Sequence, residues 1–142
     1  MERERRLLSR GRMGPIRLEG EGALNNAIGV MIVDDHQMVR EGLSAFLEVV
    51  SDLELVADVG KAETALHYCE EGAVDVVLMD LKMPGIDGVT ATRAIRERYP
   101  DVKVIALTSF GEEDLIKSAL EAGAISYLFK NVTPRELADA IR

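Results

Sequence analysis

Two adjacent carboxylates, Asp34 and Asp35, follow an apolar run, "VMIV", that ends at Val33. Two unit charges about 5 Å apart repel by roughly 3 kcal/mol at an effective dielectric of about 20. Buried aliphatic residues do not ordinarily lead into such a pair unless a positive group lies beside it. The pair therefore predicts a cation site at the end of a strand.

Three other apolar runs also end in polar side chains. Asp80 follows "VVLM", Thr108 and Ser109 follow "VIAL", and Lys130 follows "SYLF". In open parallel α/β sheets, ligands bind at the carboxyl ends of the strands, near the point where the strand order reverses. If these strands are neighbours, three carboxylates, a hydroxyl pair and an ammonium group meet in one cleft. Carboxylate oxygens are the ligands that Mg²⁺ accepts, and a phosphoryl group suits the ammonium and hydroxyl groups.

Asp80 is the candidate for nucleophilic attack, because carboxylates attack phosphorus to give acyl phosphates. It heads "DLKMPGIDG", in which Pro84, Gly85 and Gly88 predict a tight loop beside the site.

The elements that must position these residues begin at Ile28, where short β-branched runs start to alternate with helical stretches. This alternation predicts an α/β fold: a single (βα)5 domain over residues 28–142, with a doubly wound parallel five-stranded sheet in the flavodoxin-like order 2-1-3-4-5. The predicted strands are Val30–Val33, Leu53–Val59, Val74–Met79, Val102–Leu107 and Ile125–Phe129.

The last helix has a recognisable start. Thr133, Pro134 and Glu136 predict a capping box with the helix beginning at Pro134. Only about nine helical residues then remain, so we expect either a marginal last helix or a chain truncated before a further domain.

Composition narrows the classes of function. The chain has 142 residues and a formal net charge of -8, which disfavours binding of this chain to nucleic acid or an anionic membrane surface. Residues 1–27 lack sustained periodicity and are predicted to be a mobile N-terminal arm. The single cysteine, Cys69, excludes an intramolecular disulfide. With no membrane span or signal peptide predicted, we expect a cytoplasmic location.

These motifs together resemble the receiver domain of bacterial two-component response regulators. The resemblance covers residues 28–142 and depends on the acidic pair, "LMDLKMPGIDG", "ALTS" and "SYLFK". "DDHQMVREGL" and "EAGAISYLFK" are similar to the NarL/LuxR-type branch, and "LTSF", "AGAISYL" and "ELADAI" to regulators of the LiaR/VraR kind.

The resemblance implies a role for each site residue. Asp80 is the phosphoacceptor, and Thr108 and Lys130 contact the phosphoryl oxygens. Asp35 and Asp80 hold Mg²⁺ with the backbone carbonyl of Lys82, whereas Asp34 acts through a metal-bound water. Tyr127 occupies the aromatic switch position that follows the movement of Thr108.

It also implies partners and an output. A sensor histidine kinase donates the phosphoryl group, and the phosphorylated domain forms a homodimer. The chain is a phosphoacceptor that assists its own phosphorylation and dephosphorylation rather than an enzyme. DNA binding and transcription regulation belong to a C-terminal domain absent from this chain.

Simpler interpretations stay open for single residues. Asp34 or Asp35 caps the first helix, Asp80 forms a turn, and Tyr127 is an ordinary sheet residue. Ser109 is a turn residue, and His36 a surface or capping residue rather than a phosphate carrier.

Three other functions compete with the receiver. A pseudo-receiver interaction module keeps the fold without phosphotransfer, and a phosphatase with an aspartyl nucleophile also forms an acyl phosphate. A flavodoxin-like electron carrier shares the sheet order, but "DDHQMV" would repel a flavin phosphate.

Overall fold

The computed structural model describes residues 27–142 and the backbone of Arg5–Arg6. Apart from these positions, the mobile arm predicted for residues 1–27 lies outside the described residues.

Five parallel strands form the sheet: β1 (Ile28–Val33), β2 (Leu53–Val59), β3 (Val76–Asp80), β4 (Lys103–Thr108) and β5 (Ser126–Phe129). They lie in the order β2-β1-β3-β4-β5. This confirms the predicted flavodoxin-like arrangement. Arg5–Arg6 adds a short antiparallel strand beyond β2, paired with Ala57 and Asp58.

Five helices alternate with these strands, as predicted. They are α1 (Gln37–Glu48), α2 (Ala62–Glu70), α3 (Gly88–Arg98), α4 (Glu113–Glu121) and α5 (Pro134–Ile141). The capping box at the start of α5 is present, with Thr133 accepting from the Glu136 backbone and Glu136 accepting from the Thr133 backbone. No described helix is long and apolar enough to cross a membrane.

The core has two parts, one on each face of the sheet. Val30, Ile32 and other strand residues pack under α1 and α5, together with Leu43 and Leu137. On the opposite face, Met31 and its neighbours pack under α2, α3 and α4. Because β1, β3 and β4 are covered on both faces, each contains a continuous apolar run, "VMIV", "VVLM" and "VIAL" respectively.

Predicted strand boundaries differ from the observed ones by up to two residues. The third strand starts at Val76 rather than Val74, and just before it the Asp75 side chain accepts a 2.8 Å hydrogen bond from the Gly29 backbone. It ends on Asp80 itself, so the candidate nucleophile is held within the sheet.

Cys69 is buried and burial raises the pKa of its thiol to about 12, as expected of a small core residue.

Candidate functional site

The carboxyl ends of β1, β3, β4 and β5 lie side by side at one edge of the sheet. Backbone hydrogen bonds between neighbouring strands fix the register of the residues at these ends. The Asp34 N–H donates to the carbonyl of Val59 at 3.0 Å, and the Lys130 N–H donates to the carbonyl of Thr108 at 2.9 Å. The strand order therefore brings together polar residues that are far apart in the sequence.

The three carboxylates form one cluster. Asp34, Asp35, Asp80 and His36 each offer one ligand atom, and these atoms all lie within 4.8 Å of one another. Asp34 and Asp80 are buried, and the Asp35 side chain is 28% exposed. The carboxylates of Asp35 and Asp80 are thus close enough to share a single cation.

Lys130 partly neutralises this cluster. Its Nζ lies 3.0 Å from Asp34 Oδ2 and 3.0 Å from Asp80 Oδ1, so one ammonium pairs with two buried carboxylates. Burial of Lys130 disfavours its charge, but its contacts with Asp80 and Asp34 outweigh burial and raise the pKa of the ammonium. One positive charge against three carboxylates leaves the site negative, which is the condition for binding a divalent cation.

The two oxygens of Asp80 have different surroundings. Oδ1 accepts from the Lys82 N–H at 3.2 Å and faces Lys130, whereas Oδ2 is buried and has no hydrogen-bond partner within the described part of the chain. A buried acceptor without a donor is costly. Asp35 Oδ1, in the same cluster, is also buried without a hydrogen-bond partner among the described residues, and this oxygen fits a hard cation such as Mg²⁺.

Burial and the nearby charge of Asp34 raise the pKa of Asp80 to about 6, against the partial opposition of Lys130 and the Lys82 N–H. The folded protein therefore binds more protons at Asp80 than the unfolded chain does between about pH 4 and pH 6. Stability from this group is present at low pH and decreases as the pH rises through this range.

We predict that metal-free protein loses up to about 3 kcal/mol of unfolding free energy through Asp80 as the pH rises from about 4 to above 6. Urea denaturation in EDTA, with wild type and Asp80→Asn compared at each pH, measures this difference. Above about pH 6, added Mg²⁺ should reduce the difference in unfolding free energy between wild type and Asp80→Asn. If the difference in unfolding free energy between wild type and Asp80→Asn does not change with pH, the pKa assigned to Asp80 is wrong.

The loop after Asp80 is held close to it by Gly88. The Gly88 N–H donates to the carbonyl of Leu81 at 3.3 Å, and a Cβ at position 88 would collide with the backbone carbonyl of Asp80. Asp87 caps α3 by accepting from the Thr90 N–H at 2.8 Å. Helix α3 therefore begins directly against the strand end that carries Asp80.

A buried network of hydrogen bonds and one ion pair holds the backbone of the acidic pair in place. Arg40 on α1 donates through its Nη1 to the backbone carbonyl of Asp34 at 2.6 Å, and its Nε lies 3.3 Å from Asp58 Oδ1 on β2. Ser44 donates to the carbonyl of Arg40 at 2.7 Å. Because Arg40 and Asp58 are both buried, this ion pair fixes the turn that carries Asp34 and Asp35.

Asp34 also forms the local turn that precedes α1. Its Oδ1 accepts from the His36 N–H at 2.8 Å and lies 3.1 Å from the His36 ring, and His36 is the residue at the N-cap position. The N-cap is thus neither Asp34 nor Asp35, and the helix has no side-chain cap hydrogen bond, so the capping interpretation of the acidic pair is wrong; Asp34 Oδ1 instead closes the turn before the helix. The other oxygen faces Lys130.

The two residues at the predicted switch differ in burial. Thr108 is fully buried and its hydroxyl donates to Glu112 Oε1 at 2.7 Å. Tyr127 on β5 is 42% exposed and packs edge-on against Phe129, with ring centroids 5.9 Å apart. Ser109 is exposed, and its backbone N–H donates to Glu112.

Sequence reasoning missed Glu112 and Arg40, because neither gave a signal in the sequence beyond its place in a helix or at a helix start. His36 is exposed at the N-cap position, in agreement with its interpretation as a surface residue. The spacing of Glu112 four residues after Thr108, in the turn that follows a strand, was the one available clue.

The fold, with acidic residues and Lys130 gathered at the carboxyl ends of the strands, is that of a receiver domain of the type found in signalling proteins. A model of the response regulator receiver domain matches residues 30–142, so the chain belongs to this family. It is a receiver domain of a two-component response regulator.

Curated relatives agree with this assignment. The chain is 45% identical over 115 residues to the transcriptional regulatory protein LiaR of Bacillus subtilis (strain 168). The matched region covers 81% of this chain and 54% of LiaR. The chain is 44% identical over 115 residues to the response regulator UvrY of Escherichia coli (strain K12), covering 81% and 53% respectively. The chain thus spans about half the length of the curated relatives it matches.

Solved structures show the same fold. The signal receiver domain of NarL from Mycobacterium tuberculosis matches with a TM-score of 0.77 and 28% identity, over 82% of this chain and 94% of that one. A LuxR-family response regulator from Aurantimonas sp. SI85-9A1 matches with a TM-score of 0.74 and 36% identity, over 81% of this chain and 82% of that one. These matches confirm the resemblance to the NarL/LuxR-type branch.

Proposed function

We propose that Asp80 is the residue that accepts a phosphoryl group from the phosphohistidine of a sensor histidine kinase in the cytoplasm. The observation that carries this proposal is the buried Asp80 Oδ2, which has no hydrogen-bond partner among the described residues although Lys130 and the acidic pair surround the same carboxylate. An acceptor kept free of donors is available for a new bond.

The transfer requires one bond to form and one to break. A carboxylate oxygen of Asp80 bonds to phosphorus, the phosphorus–nitrogen bond of the phosphohistidine breaks, and the departing imidazole takes a proton from solvent. Lys130 and Thr108 contact the phosphoryl oxygens, and the Lys82 N–H keeps the carboxylate oriented through Oδ1.

Mg²⁺, when bound, neutralises the charge that gathers on the carboxylate and phosphoryl oxygens. Asp35 and Asp80, with the backbone carbonyl of Lys82, would hold the ion, and Asp34 would act through a bound water. The contact between Asp34 Oδ2 and Lys130 supports this division, because that oxygen already has a charged partner.

Phosphorylation would then act as a switch. It adds roughly -1.5 to -2 charge beside Lys130. Thr108 moves towards the phosphoryl group, Tyr127 changes rotamer, and the altered surface favours a homodimer. Regulation of transcription through DNA binding is proposed for a longer protein that contains this chain.

Incubation with acetyl phosphate and Mg²⁺, followed by intact mass measurement, tests the proposal. We expect a gain of one phosphoryl mass per chain, and no gain when EDTA replaces Mg²⁺. Multiple turnovers on small phosphomonoesters would instead favour a phosphatase, and no gain under any condition would favour a pseudo-receiver.

A further inference from the structure

The hydroxyl of Thr108 has a charged partner in the structure. Glu112, at the N-cap position of α4, folds back so that its Oε1 accepts from Thr108 Oγ1 at 2.7 Å and from the Ser109 N–H at 3.0 Å. The Glu112 side chain is only 16% exposed. One carboxylate oxygen thus holds both the predicted switch residue and the backbone that follows it.

The surroundings of Glu112 favour its charged form. Its Oε2 lies 3.9 Å from Lys82 Nζ. Burial opposes ionisation, but the hydrogen bonds from the Ser109 backbone and Thr108, with the charges of Lys82 and Lys130, outweigh it and lower the pKa of Glu112. A hydrogen bond to a charged acceptor is roughly twice as strong as one between neutral groups.

A hydroxyl group carries one proton and can donate one hydrogen bond at a time. Because Thr108 is fully buried, bulk water cannot replace its acceptor freely. Its hydroxyl must therefore leave Glu112 before it can donate to a phosphoryl oxygen on Asp80. The two acceptors compete for the same proton.

We propose that Glu112 is a positioning residue that holds Thr108 in the unphosphorylated arrangement and opposes the switch. This inference depends on the proposed function, since it needs an anionic group on Asp80 as the second acceptor. Part of the free energy of phosphoryl binding is therefore spent on breaking the contact between Glu112 and Thr108.

Beryllofluoride, a non-covalent analogue of the phosphoryl group, tests the proposal without phosphotransfer. Amide spectra of the 142-residue protein, recorded during titration with beryllofluoride in excess Mg²⁺, give the affinity of each variant for this analogue. Glu112→Gln keeps the shape of the side chain but weakens its bond to Thr108, so we expect about fivefold tighter binding than in wild type. Glu113→Gln, which removes a neighbouring exposed charge from the same helical turn, is the matched control and should bind as wild type does.

A double-mutant cycle with Thr108→Val separates the proposed contact from a general effect of charge. With no hydroxyl at position 108, Glu112→Gln should no longer tighten binding. Equal affinities of wild type and Glu112→Gln would overturn the inference, and so would the same tightening in Glu113→Gln or in the Thr108→Val background. Failure of wild type to bind beryllofluoride at all would instead overturn the proposed function, and the inference with it.

Discussion

The Asp80→Asn variant is expected to gain no phosphoryl mass from acetyl phosphate and Mg²⁺, a loss on the order of 100-fold or more in the rate of modification. Asparagine has nearly the same shape and can still accept a hydrogen bond from the Lys82 N–H, but its amide is uncharged and a poor nucleophile. The fold should therefore persist while the chemistry is lost.

A matched control is Asp101→Asn, because Asp101 is exposed in the turn before β4 and away from the site. This variant should gain one phosphoryl mass at the wild-type rate. Time courses of intact mass at fixed acetyl phosphate measure both rates. Modification of Asp80→Asn at the wild-type rate would place the acceptor at another residue.

The Lys130→Met variant should show the largest loss of stability among single substitutions in the site. Lys130 lies 3.0 Å from oxygens of both Asp34 and Asp80, and both carboxylates are buried. Removing the ammonium leaves these charges without compensation. We expect a decrease of about 3 kcal/mol in unfolding free energy in metal-free protein near neutral pH.

Two further observations distinguish this cause from a packing defect. The decrease should become smaller below about pH 6, where Asp80 takes up a proton, and Mg²⁺ should restore more stability to Lys130→Met than to wild type. Urea denaturation with and without Mg²⁺ measures both effects. Lys117→Met, at an exposed position on α4, is the control and should change little. An equal loss in both variants, or a loss that Mg²⁺ does not reduce, would contradict the assigned role.

The sequence was sufficient for the fold because its signals are local and agree with one another. Runs such as "VMIV" and "VVLM" indicate strands buried on both faces, and the chemistry of Thr133 and Pro134 marks the start of α5. The candidate site followed from the rule that polar residues at the ends of parallel strands meet at one edge. Clustering of Asp34, Asp35 and Asp80 within 4.8 Å agrees with that expectation.

The contacts that sequence reasoning missed depend on tertiary structure. Arg40 is an ordinary helical arginine in the sequence, and only the packing of α1 on β2 buries it against Asp58. Glu112 stands beside other acidic residues at a helix start, where its charge alone suits the helix dipole, so the sequence gives no separate signal of its contact with Thr108. In both cases a plausible local role gave no reason to look for a second one.

The central claim is that Asp80, at the end of β3, receives the phosphoryl group in a site assembled from four strand ends. Borohydride reduces an aspartyl phosphate to homoserine, and sequencing of the reduced peptides by tandem mass spectrometry identifies the modified position. After incubation of wild type with acetyl phosphate and Mg²⁺, we predict homoserine at position 80 alone. Homoserine at position 34 or 35, or a phosphoryl group that resists reduction, would contradict the account.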